Sequence, residues 1–362
     1  MKLFRMEKKR IPRNVKMGEL IEVIAAAPHI LITGHARPDG DSLGCMIALS
    51  HLLTREGHKA VGTADRTKLG GPGFLRGVSR LIPPSTAARK RFDLIIAVDC
   101  ASFERMPKPI QPLARTVPLL NIDHHCTNTR FGTWNWVEGH VSSTAELIWR
   151  LARKAGWQLD SISAEALWVA LITDSGRFAY DQTTPATLRC GADLLRYGVR
   201  TAYINDKIYC SFSRVTMELK RRALRTLTIR NNDTVAAVTL TGKDFEETGG
   251  TKADVEDVIE IPRSLIGNRV AIFFYGNEED STETRVSVRT REPLDATELV
   301  RPFGGGGHAR AAGCTIQEPL AQAKRSFFKA VDALLARDAE KEKAEGESEN
   351  QPQKTEESKV EG

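Results

Sequence analysis

Short apolar runs that stop at an acidic residue recur through the first half of this chain, and they constrain its fold more than any other feature. Phe92 to Val98 runs into Asp99, and Val117 to Ile122 runs into Asp123-His124-His125. A third run, His29 to Gly34, is followed by His35-Ala36-Arg37-Pro38-Asp39-Gly40-Asp41 and then by a helical pattern from Ser42 to Arg55. With a further run at Lys59 to Ala64 and helical or turn-rich stretches between, the pattern predicts an α/β fold, a mostly parallel sheet flanked by helices. Helices are expected at Ser143 to Ala155, Ala164 to Ile172 and Pro185 to Tyr197, closing a first domain over residues 17–200.

Thr201 to Arg225 is helical and charged and reads as a connector over 201–225. Beyond it, strand-like runs at Leu227 to Leu240, Arg269 to Tyr275 and Thr284 to Arg289 precede a glycine-rich loop and an amphipathic helix from Pro319 to Ala336. This is a smaller α+β domain over 226–336. Residues 337–362 have almost nothing apolar with which to offset ordering entropy, and predict a disordered tail. That tail carries five Lys/Arg against nine Asp/Glu, so the net charge of +6 conceals +10 on residues 1–336. A positive body favours phosphate-rich ligands. The six cysteines occur singly, with no C-x-x-C pair, which argues against a disulfide framework or a structural zinc site and for the cytoplasm. No stretch approaches the roughly 20 apolar residues of a membrane span.

The loop from His35 to Asp41 sets one imidazole and two carboxylates at a strand end, where ligands bind in α/β sheets. Alone, it reads equally as a solvated turn with helix-capping Asp and Ser. Asp99, His124 and His125 stand at two further strand ends, and Asp174 follows an apolar helical stretch in Thr173-Asp174-Ser175-Gly176. Carboxylates gathered in one crevice repel and need cations, and a mixed Asp/His set suits Mn²⁺ or Mg²⁺. In the second half, Phe303-Gly304-Gly305-Gly306-Gly307-His308-Ala309-Arg310 ends a glycine run with an imidazole and a guanidinium, two side chains able to carry positive charge. Backbone N–H groups of Gly305, Gly306 and Gly307 could approach a phosphate, with His308 and Arg310 as further donors. Arg285, Ser287 and Arg289 alternate along one strand and could face the same ligand or solvent.

These residues resemble the DHH phosphoesterase family with its DHH-associated C-terminal domain. The match runs from about residue 17 to 336 and takes in Asp123-His124-His125, His35-x-x-x-Asp39-x-Asp41, Asp99, Asp174 and the Gly-Gly-Gly-His of 305–308. The resemblance implies that His35, Asp39 and Asp99 hold one Mn²⁺, and Asp41, Asp99, His124 and Asp174 the other. It places His125 on the substrate phosphate and gives the grip on the nucleotide to His308 and Arg310. Val98 to Arg105 and Ser142 to Glu146 are similar to the branch that acts on short oligoribonucleotides and 3′-phosphoadenosine 5′-phosphate, with Cys100 and Ser175 where Thr is commoner.

The expected reaction is hydrolysis of a short RNA, mononucleotide or dinucleotide by attack of a metal-bridging hydroxide, with His125 and Asp99 at its centre and the substrate spanning a cleft between the domains. A linear or cyclic dinucleotide phosphodiesterase and a RecJ-like single-strand exonuclease are the alternatives. A homodimer is among the assemblies the sequence allows.

Overall fold

The computed structural model describes residues 14–69, 71–276 and 282–349, in two compact units that divide between Ser211 and Phe212. The first unit is built on five parallel strands, β1 (His29–Thr33), β2 (Lys59–Thr63), β3 (Leu94–Val98), β4 (Leu119–Asp123) and β5 (Trp134–Val137), in the order β2-β1-β3-β4-β5. Ile30, Ile32, Ile96 and Val98 point into one hydrophobic cluster, whereas Leu31, Ile95 and Ala97 point into another on the opposite face. Both faces are covered, which is why these strands read as unbroken apolar runs rather than as alternating ones. From β1 the chain crosses to β2 on one side and later to β3 on the other. The exits of β1 and β3 therefore diverge and open a crevice at the carboxyl end of the sheet.

The longer helices of this unit are α1 (Met17–Ala25), α2 (Gly40–Arg55), α3 (Thr144–Ala155), α4 (Ser161–Asp174) and α5 (Pro185–Leu195). A Cβ on Gly44 of α2 would come within 2.3 Å of the Ala166 carbonyl oxygen in α4. The bare glycine lets the two helices approach closely, which sets the end of α4 near the start of α2.

The second unit is a mixed six-stranded sheet of β6 (Thr228–Arg230), β7 (Val235–Thr241), β8 (Val270–Gly276), β9 (Thr284–Thr290), β10 (Gly306–His308) and β11 (Ala311–Ile316), in the order β10-β11-β9-β8-β7-β6. Helix α6 (Arg214–Arg225) packs Leu219 and Ala223 against Val238, Leu240 and Phe273. Helix α7 (Leu320–Glu349) packs Phe327, Val331 and Leu334 against Phe274 and Val288.

The architecture matches the sequence reading, with local differences besides the unpredicted strand β5. The run Leu227 to Leu240 is two strands, folded back at Asn231, Asn232 and Asp233, all with positive φ. The presumed connector is divided: Ile204 lies in the first unit's core and Leu219 in the second's. The glycine stretch is not a loop throughout, because β10 pairs antiparallel with β11. Finally, α7 runs through Glu349 instead of stopping at Ala336. Its Ala, Glu and Lys residues are strong helix formers, and Arg269 pairs with Asp338 at 2.6 Å. Residues 350–362 of the expected tail lie outside the described residues.

Candidate metal centre

Each strand exit delivers its donors by a distinct local device. Asp39 is the N-cap of α2, its Oδ1 accepting from the Ser42 N–H at 3.0 Å, so the capping reading and the ligand reading hold for the same side chain. Asp41, in the first turn and 1% exposed, is gripped by the start of another helix. Its Oδ2 accepts from the Thr144 N–H at 2.7 Å and its Oδ1 from the Ala145 N–H at 3.2 Å. Asp41 thereby caps α3, whose own N-cap Ser143 makes no side-chain cap bond, and the helix dipole favours its negative charge. Cys45, one turn along, donates its S–H to Asp41 Oδ1 at 3.2 Å.

Asp99 leaves β3 with φ +49, a left-handed conformation that costs a non-glycine residue on the order of 1 kcal/mol or more and persists only where the surroundings enforce it. His124 and His125 follow β4, and Asp174 is the last residue of α4. Three groups of donors form: His35, Asp39 and Asp99; Asp41, His124 and Asp174; Asp99, His124 and His125, with the donor atoms of each within 4.8 Å of one another. Asp99 and His124 each serve two groups.

The spacings fit cations better than hydrogen bonds. His35 Nε2 lies 3.5 Å from Asp39 Oδ2 and 3.6 Å from Asp99 Oδ2. His124 Nε2 lies 3.9 Å from Asp41 Oδ2, 3.8 Å from Asp99 Oδ1 and 3.1 Å from Asp174 Oδ2. Two ligands on one octahedral ion, with bonds of about 2.1 Å, stand from roughly 3.0 Å apart at right angles to roughly 4.2 Å when opposite one another, a range that takes in all five spacings. Asp174 Oδ2 is buried and, even beside His124, has no hydrogen-bond partner. Burial first, and then the charges of Asp174 and Asp39, push the Asp41 carboxyl well above its ordinary range. Burial and the charges of Asp39, Asp41, Asp123 and Asp174 do the same for Asp99. A nearby dication reverses that preference.

His125 differs from His124. Its Nδ1 lies 2.8 Å from Asp123 Oδ1 and 3.6 Å from Asp99 Oδ1. Asp123 is fully buried; burial alone would raise its carboxyl, but the hydrogen bonds from His125 and Asn128 bring it below the usual range. Asp123, named in the motif but given no role there, accepts from Asn128, which in turn donates to Asn121; the motif reading passed over both asparagines. The available signal was an asparagine set inside the apolar run Leu119-Leu120-Asn121-Ile122.

The remaining candidates stand in the second unit. Arg285, Ser287 and Arg289 share the half-buried face of β9, alternating with buried Val286 and Val288. Arg285 donates to the Tyr275 hydroxyl at 3.1 Å. Arg310 pairs with Glu292 at 2.7 Å and also donates to the Leu294 carbonyl. A Cβ on Gly305 would lie 2.5 Å from the Gly313 carbonyl oxygen, and one on Gly307, which has φ +149, would lie 2.5 Å from that of Ala311. Hairpin packing alone therefore requires these two glycines, whereas a Cβ on Gly306 would meet nothing within 4 Å. The His308 side chain lies outside the described residues.

Residues 29–173 match the DHH family, N-terminal domain, and residues 232–337 match the DHHA1 domain. The chain is 30% identical to the bifunctional oligoribonuclease and PAP phosphatase NrnA of Thermus thermophilus, over 89% of this chain and 95% of that one. It is 27% identical to the protein of the same name from Bacillus subtilis, over 82% and 92%. In fold it is similar to the crystal structure of an exopolyphosphatase-related protein from Bacteroides fragilis, with TM-score 0.81, 22% identity and coverage of 88% and 95%. The chain belongs to the DHH phosphoesterase family, with a DHHA1 domain as its second unit.

Proposed function

We propose that this phosphoesterase uses two divalent cations to hydrolyse short oligoribonucleotides and 3′-phosphoadenosine 5′-phosphate. The observation that carries the reading is the convergence of three donor groups sharing Asp99 and His124, in a chain whose relatives bear names for both activities. In this reading His35, Asp39 and Asp99 hold one cation, and Asp41, Asp99, His124 and Asp174 the other. Oxygen and imidazole donors without thiolate suit Mn²⁺, with Mg²⁺ as the alternative. Bound there, the ions supply a nucleophile at neutral pH and neutralise charge growing on the transferring phosphoryl group.

The chain's own residues do the rest. The left-handed turn at Asp99 would present its carboxylate to donors from both sides, His35 and Asp39 on one and His124 on the other. Asp123 keeps a proton on His125 Nδ1 and fixes the ring, so that His125 can contact the substrate phosphate beside the cations. In the second unit, Arg310 and His308 would bind the nucleotide with Gly306 and the Arg285, Ser287 and Arg289 face of β9. Arg310 would exchange Glu292 for a phosphate oxygen, trading one charge-assisted bond for another. The reading includes action in the cytoplasm; no helix among the described residues is long and apolar enough to cross a membrane.

The test is product-resolved digestion of 5′-labelled dinucleotides and pentanucleotides with Mn²⁺, alongside phosphate release from 3′-phosphoadenosine 5′-phosphate. Turnover of both substrate types that stops with chelator supports the reading. Absence of turnover on either type, or turnover indifferent to chelator, overturns it.

A further inference from the structure

Two buried asparagines connect the exits of β3 and β4. Asn121, fully buried within β4, donates its Nδ2 to the carbonyls of Ala97 and Cys100, each at 3.2 Å. It thus holds the chain on both sides of the left-handed turn at Asp99. Asn128, 8% exposed, directs its Nδ2 at three acceptors: the Cys100 carbonyl at 3.2 Å, Asn121 Oδ1 at 2.9 Å and Asp123 Oδ2. Its Oδ1 accepts from the Arg130 N–H at 2.6 Å. The amide orientation is fixed by chemistry, since a flip would set its oxygen against three other oxygens and its NH₂ against an N–H. Asp123 in turn holds His125 Nδ1 at 2.8 Å.

We propose that Asn128 is a positioning residue of the reaction proposed above, holding the Asp99 turn and the Asp123–His125 pair in mutual register through its side-chain NH₂ group. The role is one within that hydrolysis and depends on that reading. Asn128 stands four residues past His124 and three past His125, and its side chain reaches the reaction only through Asp123, Asn121 and the Cys100 carbonyl. What it supplies is donor capacity: the neighbouring oxygens of Asn121, Asp123 and Cys100 are all acceptors, and two N–H bonds are shared among them. Removing those donors leaves acceptor facing acceptor in a buried site, which partners must relieve by moving. The groups free to move are the imidazole that Asp123 orients and the strained backbone at Asp99.

Shape and donor capacity can be separated. Asn128→Asp keeps the shape, removes both N–H bonds and adds an oxygen against Asp123. Asn128→Ala leaves a small polar hole that a water can enter to restore a donor. A packing role predicts that alanine is the worse change, whereas a positioning role predicts aspartate. In the full-length protein with Mn²⁺, Asn128→Asp is expected to lower kcat for a dinucleotide about 100-fold with KM within threefold, and Asn128→Ala about 10-fold. A readout independent of turnover is the imidazole ¹⁵N spectrum of the metal-free protein at pH 8, with His125 assigned by its loss in His125→Gln. Wild type should show His125 protonated at Nδ1, and Asn128→Asp should shift or broaden that signal. An unchanged His125 signal, or alanine more damaging than aspartate, overturns the proposal. If Asn128→Asp does not fold, the His125 signal of Asn128→Ala decides in the same way. If wild type hydrolyses neither substrate while the His125 signal responds as described, the hydrolysis reading fails and the positioning of His125 by Asn128 stands.

Discussion

Replacing Asp99 with asparagine should move stability and cation affinity in opposite directions. Asparagine tolerates the left-handed conformation that Asp99 adopts at φ +49, and it is nearly isosteric, so the fold is kept while the charge is lost. In the metal-free protein the Asp99 carboxyl is raised well above its ordinary value of 3.8 by burial and by four neighbouring carboxylates. Between that value and its raised one the folded state binds more protons than the unfolded state. Metal-free stability therefore falls as pH rises through this window, and at pH 8, well above the ordinary value, the metal-free protein carries a penalty from this carboxyl. Asp99→Asn removes that penalty, so the metal-free variant should melt above metal-free wild type at pH 8. With Mn²⁺ the order reverses. Losing one partner of a buried charge pair costs about 3–5 kcal/mol, which at roughly 1.4 kcal/mol per decade is a loss of roughly 100- to 4,000-fold in Mn²⁺ affinity. Thermal melts with and without Mn²⁺, together with calorimetric titration, read both effects. A variant that binds Mn²⁺ within threefold of wild type, or that melts below wild type when both are metal-free, would refute the reasoning.

Three further outcomes follow from the same geometry. Metal-free wild type should lose stability as pH rises above the ordinary carboxyl value of 3.8, because Asp41 shares the upward shift of Asp99, and saturating Mn²⁺ should flatten that slope in melts across pH. Gly307→Ala should destabilise the protein by about 1–3 kcal/mol, whereas Gly306→Ala should stay within about 0.5 kcal/mol, so any activity lost on Gly306→Ala in a dinucleotide assay reports a ligand contact rather than the hairpin. Arg310→Ala should leave Mn²⁺ binding intact and cost about 2–4 kcal/mol in kcat/KM, mostly through KM, with Arg310→Lys restoring part of it in side-by-side kinetics.

The parallel sheet was legible because its strands are buried on both faces and each ends at a residue that apolar burial cannot explain. Asp99 and Asp123 directly follow runs of aliphatic side chains, and His35 and Asp39 stand in the loop just past a third. Trp134–Val137 escaped notice since four residues carry too little periodicity to distinguish a strand from a turn. The glycine stretch was read as a loop from composition, yet β11 supplies the pairing that glycines do not seek on their own. Gly305 and Gly307 are dictated by close backbone approach, a tertiary fact that the sequence does not display. The helix beyond Ala336 is local, a matter of propensity that low hydrophobicity obscured. The side chains that gather at the strand ends were legible from spacing and resemblance, but the devices that hold them there were not. The cap that Asp41 places on α3 joins residues more than a hundred apart, the Asp99 turn has no residue signature, and Asn121 and Asn128 act only through partners brought together by folding.

Mn²⁺ titration of the chelator-stripped, full-length protein, with cleavage of a 5′-labelled dinucleotide followed at each step, tests the shared-ligand centre most directly. A centre built from His35, Asp39, Asp41, Asp99, His124 and Asp174 predicts no cleavage without metal, a rise that is complete only near two equivalents of Mn²⁺ per chain, and loss of both equivalents' effect in Asp99→Asn. Cleavage in the presence of chelator, or full activity at one equivalent with Asp99→Asn unimpaired, would contradict it.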